Sequence, residues 1–168
     1  MDYGILTTRF TNETYMENKR WREINNYEGC IYMSKKKVSD SLSYHKPYFV
    51  LEMNNSTNKV MGIGIISIKL TCQREKIYTN YYYNRYLYKG TQHISLDTIE
   101  DDEFKELFET PLFYGKGHMK RGQAMTHFPY KKMTKQHIDC LKRLMKIEIK
   151  NNNNDINNDI NNDINHEF

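Results

Sequence analysis

Short apolar runs separated by polar turns dominate the first half of the chain, and this pattern is typical of β-strands. Strands are predicted over 3–8, 29–37, 46–53 and 60–70. The stretch ETYMENKRWREI has no glycine or proline, and it predicts a helix with the preceding Asn12 as its N-cap. The polar turn NNSTNK joins the last two strands, so we expect them to form an antiparallel hairpin.

The second half of the chain mixes helical and irregular patterns. RYLYKG predicts a strand, and SLDTIEDDEFKELFETP predicts a helix that ends at Pro111. The stretch that follows is a strand or a loop, and a final helix is predicted from its N-cap Thr134. The apolar stripe of that helix consists of Ile138, Leu141, Met145 and Ile149.

The order of these elements indicates an α+β fold. We expect one domain over 1–150, built as a small curved sheet or pseudobarrel with helices packed on it. Gly62 and Gly64 lie inside a predicted strand, where a bulge, a barrel corner or a close backbone approach would explain them. The polar DINN repeat of 151–168 predicts a disordered, low-complexity tail.

The charge of the chain favours a polyanionic partner. The net charge is +4, but the last eighteen residues hold four acids and no Lys or Arg. The remaining 25 basic and 17 acidic groups give residues 1–150 a net charge of +8. Such a basic protein binds nucleic acid or, less often, an anionic membrane surface. The alternative is a lysine-rich soluble surface that reflects an AT-rich genome.

The cysteines and the apolar runs indicate in which cellular compartment the protein is expected. The three cysteines are odd in number and form no CxxC pair, which argues against a disulfide framework and a zinc knuckle. No signal-peptide pattern is readable, and the longest apolar run, MGIGIISI, is too short to span a bilayer. We therefore expect an intracellular protein with no membrane partner.

Two clusters combine cations with aromatic side chains. In KRWREI, Trp21 lies beside Arg22 and either packs into the core or forms a stacking surface for a base. In YYYNRYLYKGTQH, cations alternate with tyrosines, as in proteins that stack unpaired bases. Tyrosine is also a good strand residue, so some of these rings are equally expected to point inward.

A third cluster is the segment YGKGHMKRGQAMTHFP, residues 114–129, which we call the basic loop. No acidic residue occurs from Thr110 through Ile138. Glycines allow backbone N–H groups to approach a phosphate, and neighbouring cations neutralise it. Gln123 could read a base edge or hold the loop. A solvated turn between two elements is the alternative interpretation.

Patterns typical of enzymes are absent from the sequence. The basic loop does not have the glycine order of a phosphate-binding Walker loop, and the histidines show no metal-ligand spacing. The serines show no nucleophile elbow. His118 is a candidate acid–base group, because neighbouring cations favour the neutral imidazole. We predict no catalytic residue, metal or cofactor, and leave open whether the protein is an enzyme.

Four segments resemble a family of proteins from giant nucleocytoplasmic DNA viruses. They are GCIYMSKKK, YFVLEMNNSTNKVMGIGIISI, YNRYLYKGTQHIS and LFYGKGHMKRGQAMTHFP, and the resemblance covers roughly residues 20 to 130. Ala124 departs from that family's pattern, which usually has glycine there. The resemblance implies a mimivirus-like origin, with the protein in the host cytoplasm, the viral factory or the virion. It implies no function.

The order of the elements is also similar to that of PUA-like folds. It consists of a helix that ends in a Trp/Arg stretch, a strand that begins with glycine and a hairpin that contains GIG. PUA-like folds include the ASCH, EVE and YTH groups, compact pseudobarrels that mostly bind RNA or modified bases. The similarity implies a cleft bordered by Trp21, Arg22, Lys35 and the loop from Gly117 to Gln123.

Together these patterns predict a module that binds RNA or single-stranded or modified nucleic acid, with RNA favoured over DNA. The alternatives are an enzyme acting on nucleic acid or nucleotide through His118, and a structural or host-interaction protein. The oligomeric state is not predicted. The predicted nucleic-acid-binding residues are Trp21, Arg22, Lys35, Arg85, Tyr86, Tyr88, Lys89, Lys116, Gly117, His118, Lys120, Arg121 and Gln123.

Overall fold

The computed structural model describes residues 3–71, 73–122 and 125–147. Over this part the chain folds into a mixed sheet, a two-stranded ribbon and helices, which confirms the α+β class. The tail predicted for 151–168 lies outside the described residues, as do Gln123 and Ile149.

The elements have the following bounds. The strands are β1 Gly4–Phe10, β2 Cys30–Ser34, β3 Tyr48–Asn54, β4 Lys59–Ile66, β5 Tyr86–Gly90, β6 Gln92–Ser95 and β7 Thr126–His127. The α-helices are α1 Asn12–Ile24, α2 Asp102–Phe104, α3 Thr110–Phe113 and α4 Lys135–Leu144. A π-helical turn, Lys105–Glu109, joins α2 to α3, and a 3-10 turn covers Tyr81–Tyr83.

The main sheet has five strands in the order β6-β4-β3-β1-β7. Strands β1 and β3 are parallel, in a register from Gly4 opposite Tyr48 to Phe10 opposite Asn54. The other pairs are antiparallel, including the predicted hairpin of β3 and β4, which is confirmed. Strands β2 and β5 form a separate antiparallel ribbon. In the part of the chain that the structure describes, these strands form no closed barrel.

Both faces of the main sheet are buried. Side chains alternate along β1, so Leu6 joins a core cluster with residues of α1 and the ribbon, while Ile5 joins a second cluster with residues of α2, α3 and α4. All seven residues of β3 are buried. This explains its nearly continuous apolar sequence, because a central strand covered on both faces has no solvent-facing side.

Glycines allow the ribbon to pack directly against β4. A Cβ placed on Gly90 would lie 1.7 Å from the carbonyl oxygen of Ile65, and one on Gly64 would lie 2.6 Å from the Cβ of Cys30. Of the three explanations predicted for the glycines of β4, a close approach applies to Gly64. The register of β3 and β4 also shifts beside Gly62, as in a β-bulge.

Three predicted helix boundaries are wrong. Helix α1 is capped by Thr11, whose hydroxyl accepts from the backbone N–H of Thr14, and not by Asn12. The predicted helix over 95–111 begins only after Asp101, whose carboxylate accepts from the backbone N–H of Phe104. It also continues past Pro111, because this proline lies in the first turn of α3, where a missing N–H costs little.

Helix α4 begins as predicted. Thr134 is its N-cap and forms a reciprocal capping box with His137. Ile138 and Leu141 of the predicted stripe are buried against the main sheet's second core cluster. No helix among the described residues is both long and apolar enough to cross a membrane.

Candidate nucleic-acid interface

A cleft of about 190 Å³ opens where the parallel strands β1 and β3 end. Its apolar walls come from Phe10, Met33, Tyr78 and Tyr83, and Gly122 of the basic loop lies at its edge. Ligand sites in open sheets with parallel strands are commonly found at the carboxyl ends of those strands. We call this cavity the cleft.

The cleft also has polar groups. Thr8, Ser34 and Asn55 line it, together with the residues that cap α1. The amide nitrogen of Asn55 donates to the backbone carbonyl of Lys120, at 2.8 Å. Its amide oxygen is buried and has no hydrogen-bond partner among the described residues. An unsatisfied buried acceptor is costly to the fold, and this one is too deeply buried for a ligand in the cleft to reach.

Arg9 of β1 holds the basic loop against the sheet. Its Nε donates to the carbonyl of Met119 at 2.6 Å, and its Nη2 donates to the hydroxyl of Thr126 at 2.8 Å. Burial lowers the pKa of the guanidinium from its ordinary value. Gly122 lies against it with a φ of +137°, a conformation that requires glycine.

The last cations of the basic loop, Lys120 and Arg121, directly precede Gly122, which lines the cleft. The Nζ of Lys120 donates to the side-chain oxygen of Asn58 at 2.8 Å, and Arg121 is exposed. His118 is half-buried, and its Nδ1 accepts from the backbone N–H of Lys120 at 3.3 Å. Lys116 and Gly117 are exposed earlier in the loop.

Tyr82 and two cations form a cluster next in the chain to residues that line the cleft. The guanidinium of Arg85 lies 5.4 Å from the centroid of the Tyr82 ring, and the Nζ of Lys35 lies 6.0 Å from it. Tyr82 is 57% exposed, so part of its ring is open to a ligand. Tyr83, the next residue, lines the cleft, as does Ser34, which precedes Lys35.

The structure does not place all predicted tyrosines on this surface. Tyr88 is fully buried, and its hydroxyl accepts from the backbone N–H of Val38 at 3.1 Å. Stacking of a base on Tyr88 is not compatible with this burial. Tyr86 is half-buried and packs against the first core cluster. Side chains alternate between the two faces of β5, and both rings lie on the face that packs against the protein. This agrees with the alternative interpretation, in which some of the tyrosines point inward.

Trp21 and Lys89 contact each other. The Nζ of Lys89 lies 5.3 Å from the centroid of the Trp21 ring and 3.1 Å from a carboxylate oxygen of Glu75. Trp21 also packs against the first core cluster, with its ring edge-on to Tyr27. Stacking of a base on Trp21 would therefore have to compete with a cation that already covers the ring.

Arg22 contacts a buried polar network that the sequence did not predict. Its Nη1 lies 2.8 Å from Nδ1 of His93, and Nε2 of His93 lies 3.1 Å from Oε1 of Glu52. The hydroxyl of Tyr32 donates to the same carboxylate oxygen at 2.8 Å. The signal that could have found this network is the acidic Glu52 inside an apolar strand, opposite Gly62 on β4.

One group of side chains has metal-ligand geometry. Single ligand atoms of Asp101, Glu103 and Cys140 lie within 4.8 Å of one another. Arg143 already donates to Asp101 at 2.7 Å and to Glu103 at 2.8 Å. A single guanidinium therefore already pairs with both carboxylates, and the arrangement is that of a surface ion-pair network.

None of the predicted binding residues that the structure describes lines the cleft itself. Lys35 and Arg121 are chain neighbours of the lining residues Ser34 and Gly122, and Arg85 lies over the ring of Tyr82, the neighbour of Tyr83. The lining residues that the sequence did not predict include Arg9, Asn55 and Tyr83. Gln123 lies outside the described residues. Comparisons with known protein families, curated proteins and solved structures find no match to this chain.

Proposed function

We propose that the protein binds single-stranded nucleic acid across the cleft, with RNA favoured over DNA. The observation that carries the proposal is the arrangement of charge and aromatic surface. Lys35 and Arg85 lie beside the exposed ring of Tyr82, whose neighbour Tyr83 lines the cleft. Lys120 and Arg121 precede the lining residue Gly122, and the carbonyl of Lys120 accepts from the lining residue Asn55. Proteins that bind single strands commonly stack bases on aromatic rings and place cations along the nucleic-acid backbone.

The dimensions favour an unpaired strand over a duplex. Proteins read duplex DNA by inserting a helix or a two-stranded ribbon into the major groove, which requires a protruding element. Here the candidate surface is concave, with about 190 Å³ of space between its walls. Unpaired bases can be splayed out into such a space and stacked on tyrosine.

The preference for RNA rests on hydroxyl groups in the lining of the cleft, those of Thr8 and Ser34. Such groups can exchange hydrogen bonds with a 2′-hydroxyl, and DNA lacks that group. A PUA-like pseudobarrel and membership in the viral family are part of this proposal. The close packing of the ribbon against β4, with both contributing to the first core cluster, supports the former.

Fluorescence anisotropy with labelled single-stranded RNA, single-stranded DNA and duplex DNA tests the proposal. We expect single strands to bind more tightly than duplex, with affinity falling as salt rises. Arg85→Ala removes one predicted phosphate contact and should reduce the slope of log K against log salt by about 0.7. Lys142→Ala is the matched control, because Lys142 also lies over a tyrosine ring, that of Tyr3, but on α4.

Tyr82→Ala should weaken binding by about 1–3 kcal/mol, the usual contribution of one stacked base. Tyr130→Ala is its control, since Tyr130 is similarly exposed, lies outside the basic loop and has no cation over its ring among the described residues. Equal effects of Arg85→Ala and Lys142→Ala, or binding that ignores salt, would contradict the proposal. Salt-independent self-association would instead support a protein interface formed by the exposed tyrosines.

A further inference from the structure

The last eighteen residues of the sequence repeat one acidic and one apolar side chain. The segment 151–168 contains the tripeptide Asp-Ile-Asn three times, each copy four residues after the one before. It has four acids and no Lys or Arg, and it lies outside the described residues. We call it the acidic segment. A carboxylate beside an isoleucine matches a surface that offers cations beside an apolar recess.

The cations near the cleft have no carboxylate partners in the part of the chain that the structure describes. No ion pair with an acid is formed there by Lys35, Arg85, Lys120 or Arg121. By contrast, the guanidinium of Arg143 on α4, the helix that precedes the acidic segment, is already paired with two carboxylates. The cations near the cleft can therefore accept an anion without breaking an existing ion pair.

The cleft provides the apolar recess. Its volume is about 190 Å³, and four apolar or aromatic side chains form its walls. An apolar protein cavity of about 150 Å³ can hold a benzene molecule, so the cleft has room for one isoleucine side chain. Lys35 and Arg121 are chain neighbours of the lining residues Ser34 and Gly122. An aspartate next to that isoleucine would thus lie near a cation.

The chain after α4 is long enough to reach the cleft. Helix α4 ends at Leu144, and the repeats begin at Asp155 and extend past Asp163. At about 3.3 Å per residue, an extended chain from Leu144 spans about 36 Å to the first of these aspartates and about 60 Å to the last. A domain of about 150 residues has a radius of gyration of only about 15 Å. The distance from α4 therefore does not prevent the contact.

We propose that the acidic segment docks on the cleft of its own chain and competes there with nucleic acid. One isoleucine occupies the recess, and neighbouring aspartates pair with the cations beside it. The opposite charges, +8 over 1–150 and −4 over 151–168, favour this contact. The competition rests on the proposed function, whereas the docking does not. A tether gives an effective concentration of about 1 mM, so a segment with a Kd of about 0.1–0.5 mM weakens a competing ligand about three- to tenfold.

Two full-length variants separate docking from the effect of charge alone. The isoleucine variant leaves every charge in place and carries Ile156→Ser, Ile160→Ser and Ile164→Ser. Its matched control alters neutral neighbours and carries Asn157→Ser, Asn161→Ser and Asn165→Ser. Replacing the aspartates would be less selective, because it would also reduce the long-range repulsion of any polyanion.

Proton–nitrogen NMR without nucleic acid tests the docking. In the isoleucine variant, the backbone amide of Gly122 and the side-chain Nε–H of Arg85 should shift from their positions in the unaltered protein, while Arg143 should not. The control variant should match the unaltered protein, and about 1 M salt should remove the difference. Unchanged signals at Gly122 and Arg85, or changes confined to Arg143, would overturn the proposal. A difference that disappears on dilution would also overturn it, since the segment would then occupy another copy of the chain.

Fluorescence anisotropy with labelled single-stranded RNA tests the competition. The isoleucine variant should bind about three- to tenfold more tightly than the control variant. Equal affinities of the two variants would overturn the competition and leave the proposed function intact. An NMR difference without RNA binding by either variant would support the docking and contradict the proposed function.

Discussion

Replacing Gly62 by alanine tests whether the buried carboxylate lies where the structure places it. A Cβ at this position would lie 2.5 Å from Oε2 of Glu52, and 2.9 Å from both Nε2 of His93 and the carbonyl oxygen of Ile94. These distances are shorter than carbon and oxygen or nitrogen atoms tolerate. The contact with Glu52 is the shortest, so its carboxylate has to move, and the carbonyl of Ile94 in the backbone of β6 has to shift slightly as well.

The cost follows from what Glu52 would lose. Overpacking a core typically costs about 1–3 kcal/mol, and each hydrogen bond to a charged group contributes about 1.5–3 kcal/mol. Alanine recovers about 0.4–1 kcal/mol by restricting the unfolded chain. We expect Gly62→Ala to lower the free energy of unfolding by about 3 kcal/mol. For a domain of this size that corresponds to a fall in Tm of about 6–12 °C.

Thermal and urea unfolding followed by circular dichroism measure this change. Gly117→Ala is the control, because the nearest atom to its added Cβ is the flexible Nζ of Lys132 at 3.6 Å. We expect it to stay within about 0.5 kcal/mol of the unaltered protein. The double variant Glu52→Ala with Gly62→Ala should be more stable than the sum of the single changes predicts, by about 1–3 kcal/mol.

Two results would refute this reasoning. One is a Gly62→Ala variant as stable as Gly117→Ala, which would mean that no atom lies against the α-carbon of Gly62. The other is strict additivity in the double variant, because removing the carboxylate must relieve the clash if Glu52 causes it. Either result would also remove the support for the hydrogen bond between Glu52 and His93.

Two further predictions concern thiols and acid stability. Burial raises the pKa of Cys30 to about 12 and that of Cys140 to about 11. At pH 8 both thiols should therefore be alkylated far more slowly in the native protein than in the urea-unfolded protein, as measured by peptide mass spectrometry. Fast labelling of the native protein would contradict this. The hydrogen bond from Arg143 lowers the pKa of Asp101, and those from Gln136 and then Arg143 lower the pKa of Glu103. The stability that these two carboxylates contribute is therefore present above about pH 4 and is lost as the pH falls further. Arg143→Ala should slightly reduce the loss of stability in acid, as measured by urea titrations at several pH values, and an unchanged pH profile would contradict this.

Local elements of the fold could be predicted from the sequence where a pattern is complete within one segment. The hairpin of β3 and β4 follows from two apolar runs and a polar turn, and α4 follows from the cap Thr134 and its stripe. Strand β6 was missed because QHIS has no apolar run. The parallel pairing of β1 with β3 depends on contacts between distant segments, which no local pattern encodes.

The cations of the candidate interface could be predicted in part, because clusters of Lys and Arg are visible in any sequence. Their convergence was not predictable. Lys35 and Arg85 meet at Tyr82 because β2 pairs with β5, and the basic loop reaches the cleft because Arg9 binds its backbone. The burial of Tyr88 has the same origin, since the face that a strand residue occupies is decided by what covers the strand.

The buried network around Glu52 could have been predicted from the sequence better by a single acid within an apolar strand than by the density of charged residues. KPYFVLEM has a single acid among apolar residues, and the facing strand has glycine at the register shift where that acid lies. A buried carboxylate needs both space and donors, and a glycine on the neighbouring strand provides the space. Gly62 alone suggests only a bulge, and Glu52 alone suggests a strand end. Taken as a pair across a predicted hairpin, they specify a buried acid, and the donors must then come from elements such as His93 that the hairpin does not contain.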